Sequence, residues 1–117
     1  MILYCDTSAL VKLYVRETDS DMVQAVAVDA PALEQARRNL ARDWPDYMVV
    51  EVTQRLVELA GEYADTFALR AYDSVQLASA QLLSEGSPGE VGFACFDTRL
   101  SNAARTLGMT AIKSAAA

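Results

Sequence analysis

The sequence contains no histidine, and this absence narrows the chemistry of the protein more than any other feature of its composition. Histidine is the commonest general base in enzymes and a frequent zinc ligand. Its absence excludes Ser-His-Asp catalysis, Cys-His catalysis and zinc sites that use imidazole. Hydrolysis by this chain would therefore depend on carboxylates, together with a hard metal ion of the kind that carboxylates bind well.

Cysteines and long apolar runs are also scarce. The two cysteines, Cys5 and Cys95, lie inside short apolar stretches, which is typical of buried thiols in a reducing compartment rather than of a disulfide framework. No apolar run approaches the roughly 20 residues of a membrane span. The first residues also lack the basic stretch and cleavage pattern of a secretion signal. The composition therefore predicts a cytoplasmic protein that does not enter a membrane.

Apolar and acidic residues, in contrast, are plentiful. Apolar residues make up 52% of the 117, enough for the packed core of a single domain over residues 1–117. The net charge of −6 argues against a protein that coats nucleic acid by its overall charge. It leaves open an enzyme that binds a phosphodiester at one metal-bearing cleft.

Short apolar stretches alternate along the chain with patterns typical of helices. The stretches that indicate strands are residues 2–5, 47–52, 91–96 and 109–112, and the helical patterns are 9–15, 21–28, 32–44, 54–64, 67–85 and 98–107. This alternation predicts an α/β fold in which a mostly parallel sheet lies between two layers of helices. Residues 114–117 are expected to be a frayed tail.

Residues suited to helix ends flank several of these patterns. Thr7 or Ser8 can cap the first helix, Thr53 the helix at 54–64, and Asp65 or Thr66 the helix at 67–85. Proline is favoured in the first turn of a helix and glycine just after the last. Pro31 lies at the start of the helical pattern at 32–44, and Gly108 follows the end of the pattern at 98–107.

Two of the strand-like stretches end on an aspartate followed by a threonine. Asp6 and Thr7 follow the first stretch, and Asp97 and Thr98 follow the stretch at 91–96. Ligands bind beyond the carboxyl ends of parallel strands, so these carboxylates should approach each other if their strands are neighbours. The simpler interpretation is that each aspartate caps the following helix, although each threonine could cap it instead. Both interpretations stay open.

A third aspartate, Asp73, lies in the helical segment LRAYDSVQLASA, with Leu69 and Leu77 four residues away on either side. A charge on an apolar helix face is costly unless it is paired or bound to a metal. An ion pair with Arg70 is the simpler interpretation, and it is compatible with a role in a site. Three carboxylates without histidine suit Mg²⁺ or Mn²⁺, so the pattern favours phosphate-ester chemistry.

The segments MILYCDTSALVKLYV, LRAYDSVQLASA and FACFDTRLSNAARTLGM resemble the three acidic motifs of the PIN-domain family, and are closest to its VapC-type toxin ribonucleases. The resemblance covers about the first thirty residues and nearly everything from Trp44 onward. It implies a compact α/β/α sandwich whose acidic pocket binds Mg²⁺ or Mn²⁺ and cuts single-stranded RNA. It also implies a cognate antitoxin that occludes this pocket, and frequent homodimers.

The resemblance also assigns expected roles by position. Asp6 and Asp73 would be metal ligands, and Asp97 would complete the acidic cluster, so all three are candidate catalytic and metal-binding residues. Other residues near the motifs are candidates for lesser roles. Those expected to support the site are Thr7, Ser8, Arg70 and Thr98, and those expected to contact RNA are Lys12, Arg16 and Arg99.

The chain departs from the family pattern at one place. The family carries a second strand and a glutamate on the helix after it, but here VAVDA passes directly to PALEQARR at Ala30 and Pro31. Three explanations are open: the gene has lost the segment, a second chain supplies it, or the segment exists there without being numbered. The last predicts a spatial gap between Ala30 and Pro31. We do not expect Glu17, Glu34 or Glu51 to replace the glutamate.

These observations favour a metal-dependent endoribonuclease, the toxin of a toxin–antitoxin pair. The alternative is a catalytically impaired PIN-like module that retains the antitoxin or dimer interface. A phosphatase with Asp6 as its nucleophile ranks lowest. A haloacid-dehalogenase-like site would need a second aspartate where this chain has Ser8.

Overall fold

A computed structural model describes residues 1–15, 30–86 and 90–112 of the chain. Within these ranges the strands are β1 (Ile2–Cys5), β2 (Val91–Ala94) and β3 (Thr110–Ile112). The α-helices are α1 (Thr7–Tyr14), α2 (Ala30–Asp43), α3 (Gln54–Thr66), α4 (Ala71–Gly86) and α5 (Thr98–Thr106), and a 3₁₀ helix spans Trp44–Asp46. The helix predicted at 21–28 and the tail at 114–117 lie outside the described residues.

The three strands form one parallel sheet in the order β1-β2-β3. The β1–β2 register runs from Ile2 opposite Val91 to Cys5 opposite Ala94, and β3 pairs with the other side of β2. The predicted α/β fold with a parallel sheet is therefore confirmed. Because β1 and β2 are neighbours, their carboxyl ends lie side by side.

One face of the sheet carries the main core. Phe93 is fully buried at its centre, the ring of Tyr4 stacks on it at 5.5 Å, and Leu77 of α4 and Leu100 of α5 pack in the same cluster. On the neighbouring residue Gly92, a Cβ would lie 2.9 Å from side-chain atoms of both Met1 and Ile112. Glycine at this position leaves room for those two side chains.

Helices α3 and α4 pack against each other through the buried side chains of Leu56, Ala60 and Ala78. Thr53 caps α3 as predicted, since its hydroxyl accepts a hydrogen bond from the backbone N–H of Leu56 at 3.1 Å. This packing orients α4, which carries the predicted site residue Asp73.

The strand predicted at residues 47–52 is not formed. Val50 packs against the α3–α4 cluster, whereas Met48, Val49 and Val52 are 67%, 61% and 70% exposed. In the described part of the chain the sheet consists of β1, β2 and β3, and this segment pairs with none of them. A sequence that favours strand becomes one only where its backbone groups can be paired.

The gap predicted between Ala30 and Pro31 is wrong. Both belong to one continuous helix, α2, in whose first turn the missing N–H of proline costs no hydrogen bond. The structure therefore has no spatial gap at this junction. A shortened chain and a segment supplied by a second chain are the explanations that stay open.

The boundary between α3 and α4 also differs from the prediction. Helix α3 continues to Thr66 and α4 begins at Ala71, so Asp65 and Thr66 close α3 instead of capping α4. The backbone of Ala68 has a φ of 53°. This left-handed conformation is the usual way to end a helix, although glycine normally supplies it.

Two predictions about the environment of the chain can be compared with the structure. Both cysteines are free thiols, with Cys95 buried and Cys5 half-buried. Among the described helices, none combines the length and apolar character needed to cross a membrane.

Replacing Ala68 by glycine should stabilise the protein. The left-handed conformation strains any residue with a Cβ, and relief of that strain should outweigh the added entropy of the unfolded chain, for a net gain of about 0.5–1 kcal/mol. The free energy of unfolding in urea measures this gain. As a matched control, Ala41→Gly in the exposed interior of α2 should cost about 1 kcal/mol. An equal loss in both variants would contradict the prediction.

Candidate active site at the ends of the parallel strands

Asp6 connects the end of β1 to the start of α1. Its backbone N–H donates to the carbonyl of Ala94 at 3.1 Å, and its Oδ1 accepts hydrogen bonds from the N–H of Ala9 at 2.9 Å and the hydroxyl of Ser8 at 2.8 Å. The residue is only 7% exposed. Asp6 is therefore the N-cap of α1. The expected cap by Thr7 or Ser8 is wrong, because the helix has already begun at Thr7.

Asp97 has the equivalent position after β2. Its Oδ1 accepts a hydrogen bond from the N–H of Leu100 at 2.8 Å, which makes it the N-cap of α5, and Thr98 is the first helical residue. Since β1 and β2 are adjacent and parallel, Asp6 and Asp97 lie at the same edge of the sheet. Each cap uses Oδ1, and a carboxylate has acceptor sites on both oxygens. Capping is therefore compatible with metal binding.

Asp73 is half-buried in the first turn of α4, where the positive end of the helix dipole stabilises an anion. The expected ion pair with Arg70 is not formed. The ion pairs of the described residues involve other arginines. The positive charge of Arg70 still acts on Asp73 through space and lowers its pKa against stronger opposing effects.

Two hydrogen bonds connect the first strand and helix to α4. The hydroxyls of Thr7 and Tyr72 are hydrogen-bonded to each other, and the Tyr4 hydroxyl donates to the side-chain oxygen of Gln76. The sequence singled out Thr7 as a supporting residue, but Tyr72 only as an aromatic for stacking or packing. Its hydroxyl partner depends on which helices meet, so no local signal could have identified it.

A cavity of about 290 Å³, called here the acid cavity, lies at this edge of the sheet. It is lined by Leu69, Arg70, Asp73, Asp97, Thr98 and Arg99. The structure thus brings together two of the three predicted acids with three predicted accessory residues. Asp6 does not line the cavity, but its charge is close enough to influence Asp73.

The pKa of Asp73 is raised above its ordinary value. Burial of the carboxyl is the largest cause, followed by the negative charge of Asp97. Asp6 adds a smaller rise, while Arg70 acts in the opposite direction. Asp97 and Asp6 are therefore near enough to repel the Asp73 carboxylate, and a bound cation would relieve this repulsion.

The fit of this cluster to a metal ion is partial. In the described ranges, no three Asp, Glu, Cys or His side chains converge closely enough to hold one ion. Mg²⁺ needs only one or two carboxylates because it keeps several waters, so Asp73 and Asp97 in the acid cavity suit it. Ligation by Asp6, Asp73 and Asp97 together stays a prediction.

None of the described glutamates considered from the sequence replaces the missing acid. Glu34 lies on the exposed face of α2 and faces Arg37 and Arg38 at 3.9 and 3.7 Å. Glu51 is exposed in the segment that forms no strand. Glu17 lies outside the described residues.

Two of the three expected RNA-contacting residues, Lys12 and Arg99, lie in the part of the chain that the structure describes. Arg99 lines the acid cavity. The Nζ of Lys12 is 4.8 Å from the centroid of the Phe96 ring, so Lys12 lies beside the residue that precedes Asp97. Arg16 lies outside the described residues. Two of the three candidates are therefore near the acidic edge.

Other reactive groups near the site are poorly suited to catalysis. Burial raises the pKa of the Cys5 and Cys95 thiols and raises the pKa of Tyr4 to about 12. These groups are protonated at neutral pH, and a thiol is a weak nucleophile in that form. The carboxylates are the remaining candidates for chemistry at this edge.

Substituting Asp73 with asparagine should stabilise the metal-free protein near pH 7. The raised pKa means that the folded state holds the Asp73 proton more tightly than the unfolded state, so stability falls as the pH rises through the pKa of the folded carboxyl. The gain should disappear near pH 3, where both states are protonated. Urea unfolding in EDTA at the two pH values measures it.

Asp43 provides a control of opposite sign. Its pKa is lowered, mainly by a hydrogen bond from Arg42, so Asp43→Asn should reduce stability at neutral pH. A loss of stability in Asp73→Asn near pH 7 would show that Asp73 is not under repulsion.

Ribonucleases of Mycobacterium tuberculosis are similar to this chain over most of its length. The chain is 35% identical to ribonuclease VapC46 over 129 aligned positions, which include 94% of this chain and 95% of that protein. It is 36% identical to ribonucleases VapC45 and VapC49 over 135 positions, which include 92% of this chain and 92% of each relative.

These alignments are longer than the chain itself. A match of 129 positions that includes 94% of 117 residues leaves about 19 positions at which VapC46 has a residue and this chain has none. For VapC45 the same comparison leaves about 27. Within the aligned regions the chain therefore lacks, in one place or in several, about 19 to 27 residues that these relatives have.

No family model and no solved structure matches the sequence. The similarity to the curated ribonucleases nevertheless exceeds 30% identity and extends over more than nine-tenths of each protein. The chain belongs to the VapC-type ribonuclease group of the PIN-domain family.

Proposed function

We propose that the protein is a metal-dependent endoribonuclease that cleaves single-stranded RNA and acts as the toxin of a toxin–antitoxin pair. The relatives from Mycobacterium tuberculosis are named as ribonucleases. The observation that carries the proposal for this chain is that Asp73 and Asp97 line one cavity together with Arg70 and Arg99, at the edge where the strands of the sheet end.

Asp73 and Asp97 are the residues that would hold Mg²⁺ or Mn²⁺, with Asp6 as the third acid. Both lie where like charges already repel, so binding a cation there would lower the free energy of the cluster. When bound, such an ion lowers the pKa of coordinated water and offsets charge on a phosphoryl group.

The protein residues around the carboxylates would position the substrate. Arg70 and Arg99 line the same cavity as the two aspartates, and guanidinium groups match the geometry of a phosphodiester. Asp6, held by hydrogen bonds from Ser8 and Ala9, would be the third acid available to the metal ion. In this arrangement RNA would bind through Arg70 and Arg99, although the overall charge of the chain is −6.

Asp6→Asn and Asp97→Asn should each reduce Mg²⁺-dependent RNA cleavage by at least about a hundredfold. Asparagine caps a helix as well as aspartate does, so these changes remove the charge and keep the fold. The loss should be large because a metal ion supplies several kcal/mol of transition-state stabilisation. The measurement is cleavage of labelled single-stranded RNA on gels, with Mg²⁺ or with EDTA, and with duplex RNA for comparison.

Asp46→Asn is the matched control, because Asp46 is an exposed aspartate on the 3₁₀ helix away from the site. It should cleave at the rate of the unchanged protein. Cleavage by Asp6→Asn at this same rate would exclude Asp6 as a required residue.

The second candidate function is a catalytically impaired module that binds the antitoxin without cutting RNA. The absence of a three-donor metal group in the described ranges and the shortened chain favour it. The same assay separates the two: no cleavage with Mg²⁺ or Mn²⁺ by the unchanged protein, together with binding of the antitoxin, would identify the impaired form. The free cysteines fit the reducing cytoplasm for either function.

We also infer that the protein forms a homodimer through the exposed apolar segment Tyr47–Val52. Met48, Val49 and Val52 are largely exposed although the segment is extended and apolar. Exposed apolar patches of this kind mark protein interfaces. A second copy of the chain is the occupant that we propose, and the antitoxin would bind at the acidic edge.

Replacing Met48 and Val52 together by serine should convert the dimer to a monomer. Both side chains are exposed, so the double substitution should leave the core of each copy intact. Light scattering after size-exclusion chromatography measures the mass in solution. Leu33→Ser, at an exposed position of α2, is the control and should stay dimeric. A monomeric unchanged protein, or a double variant that still dimerises, would contradict this interface.

A further inference from the structure

A second cavity beside the acidic edge has no acidic residue in its lining. It has a volume of about 480 Å³ and is called here the α5 cavity; its lining residues are Phe67, Thr98, Arg99, Asn102, Ala103 and Thr106. Thr98 and Arg99 also line the acid cavity. The two cavities are therefore adjacent and share a wall. The volume lies within the usual range of small-ligand sites.

The lining of the α5 cavity combines two apolar side chains, Phe67 and Ala103, with four polar or charged ones. Ala103 is buried with 4% exposure. The half-buried ring of Phe67 makes a tilted contact with Tyr63 at 5.6 Å between ring centroids, so it is supported from within the protein. An aromatic wall held in this way suits stacking with a planar ring.

Asn102 is the polar lining residue best suited to read a hydrogen-bonding edge. Its Oδ1 accepts a hydrogen bond from Arg105 at 2.7 Å, which orients the amide and leaves Nδ2 as a donor. The Thr106 hydroxyl, in contrast, donates to the backbone carbonyl of Asn102 at 3.0 Å. An amide donor next to an aromatic wall matches the acceptor atoms on the edge of a nucleobase.

Arg99 connects the two cavities. Its Nη1 donates to the carbonyl of Ala68 at 3.2 Å, which ties α5 to the α3–α4 connection that carries Phe67. A guanidinium has five N–H donors, so this single bond leaves capacity for a phosphate. The arginine therefore lies where the backbone of a nucleic acid would pass from the carboxylates to the α5 cavity.

We propose that the α5 cavity binds one unstacked nucleobase of single-stranded RNA, next to the phosphate that faces the carboxylates. The base stacks on Phe67, Asn102 contacts its edge, and Arg99 holds the intervening phosphodiester. A paired base is already stacked and cannot enter, which gives the site its preference for single strands. The identification of RNA as the ligand rests on the proposed ribonuclease function.

The test measures binding of a fluorescent single-stranded oligoribonucleotide by anisotropy in EDTA. Phe67→Leu keeps the apolar contact with the core and removes the stacking surface, and Asn102→Ala removes the exposed amide. Each should weaken binding by roughly tenfold, the effect of losing one stacked or specifically bound base. The matched controls are Trp44→Leu, a half-exposed aromatic on the 3₁₀ helix, and Asn39→Ala, whose Oδ1 also accepts a bond along its own helix. Both should bind as the unchanged protein does.

Oligonucleotides with one abasic nucleotide at successive positions complete the test. For the unchanged protein, removing the base at one position should weaken binding about as much as Phe67→Leu does. Removing the same base should not weaken binding to Phe67→Leu any further. The proposal would be overturned if Phe67→Leu and Asn102→Ala bound the oligonucleotide as tightly as the unchanged protein does. It would also be overturned if no abasic position weakened binding. Variants that lose antitoxin binding but not RNA binding would overturn it as well, since the cavity would then take a protein side chain.

The outcomes also separate this inference from the proposed function. Cleavage of RNA with Mg²⁺ but no position-dependent effect leaves the nuclease standing and removes the base site. A position-dependent effect without any cleavage leaves the base site standing and removes the nuclease. If Phe67→Leu does not fold, as judged by circular dichroism, Asn102→Ala at its exposed position carries the test alone.

Discussion

The parallel pairing of β1 with β2 is the constraint on which the rest of the site depends. The register places Cys5 opposite Ala94, and the backbone of Asp6 continues this pairing by donating to Ala94. Both strands end at the same edge of the sheet, and each is followed within a few residues by a helix. Two aspartates that are far apart in the sequence therefore become neighbours, and both stand at the positive ends of helices.

Helix capping and the acidic cluster support each other in this arrangement. Capping fixes Oδ1 of Asp6 and of Asp97 against backbone N–H groups, which stabilises carboxylates that would otherwise repel one another and Asp73. The capping interpretation of the sequence was therefore correct for both residues, and it does not compete with a role in a metal site. Asp73 lacks such a cap, and burial together with the negative charge of Asp97 raises its pKa.

The predictions that succeeded were those determined by local chemistry. Apolar runs identified β1, β2 and β3, a threonine identified the cap of α3, and Gly108, with a φ of 91°, closes α5 as expected. The predictions that failed depended on distant partners. Residues 47–52 have the composition of a strand but no strand beside them, and the boundary after α3 is set by the left-handed turn at Ala68, which alanine does not announce.

The sequence by itself determined which groups are available for chemistry: it contains no histidine, and its three aspartates stand at positions that resemble the motifs of one family. Tertiary structure alone decided which groups meet. Tyr72 is hydrogen-bonded to Thr7 across the fold. Arg99 lines both cavities, and Phe67 lines the α5 cavity. The reason is physical, because residue type sets the charge and hydrogen-bonding capacity of a side chain, whereas its partners are set by how strands and helices pack.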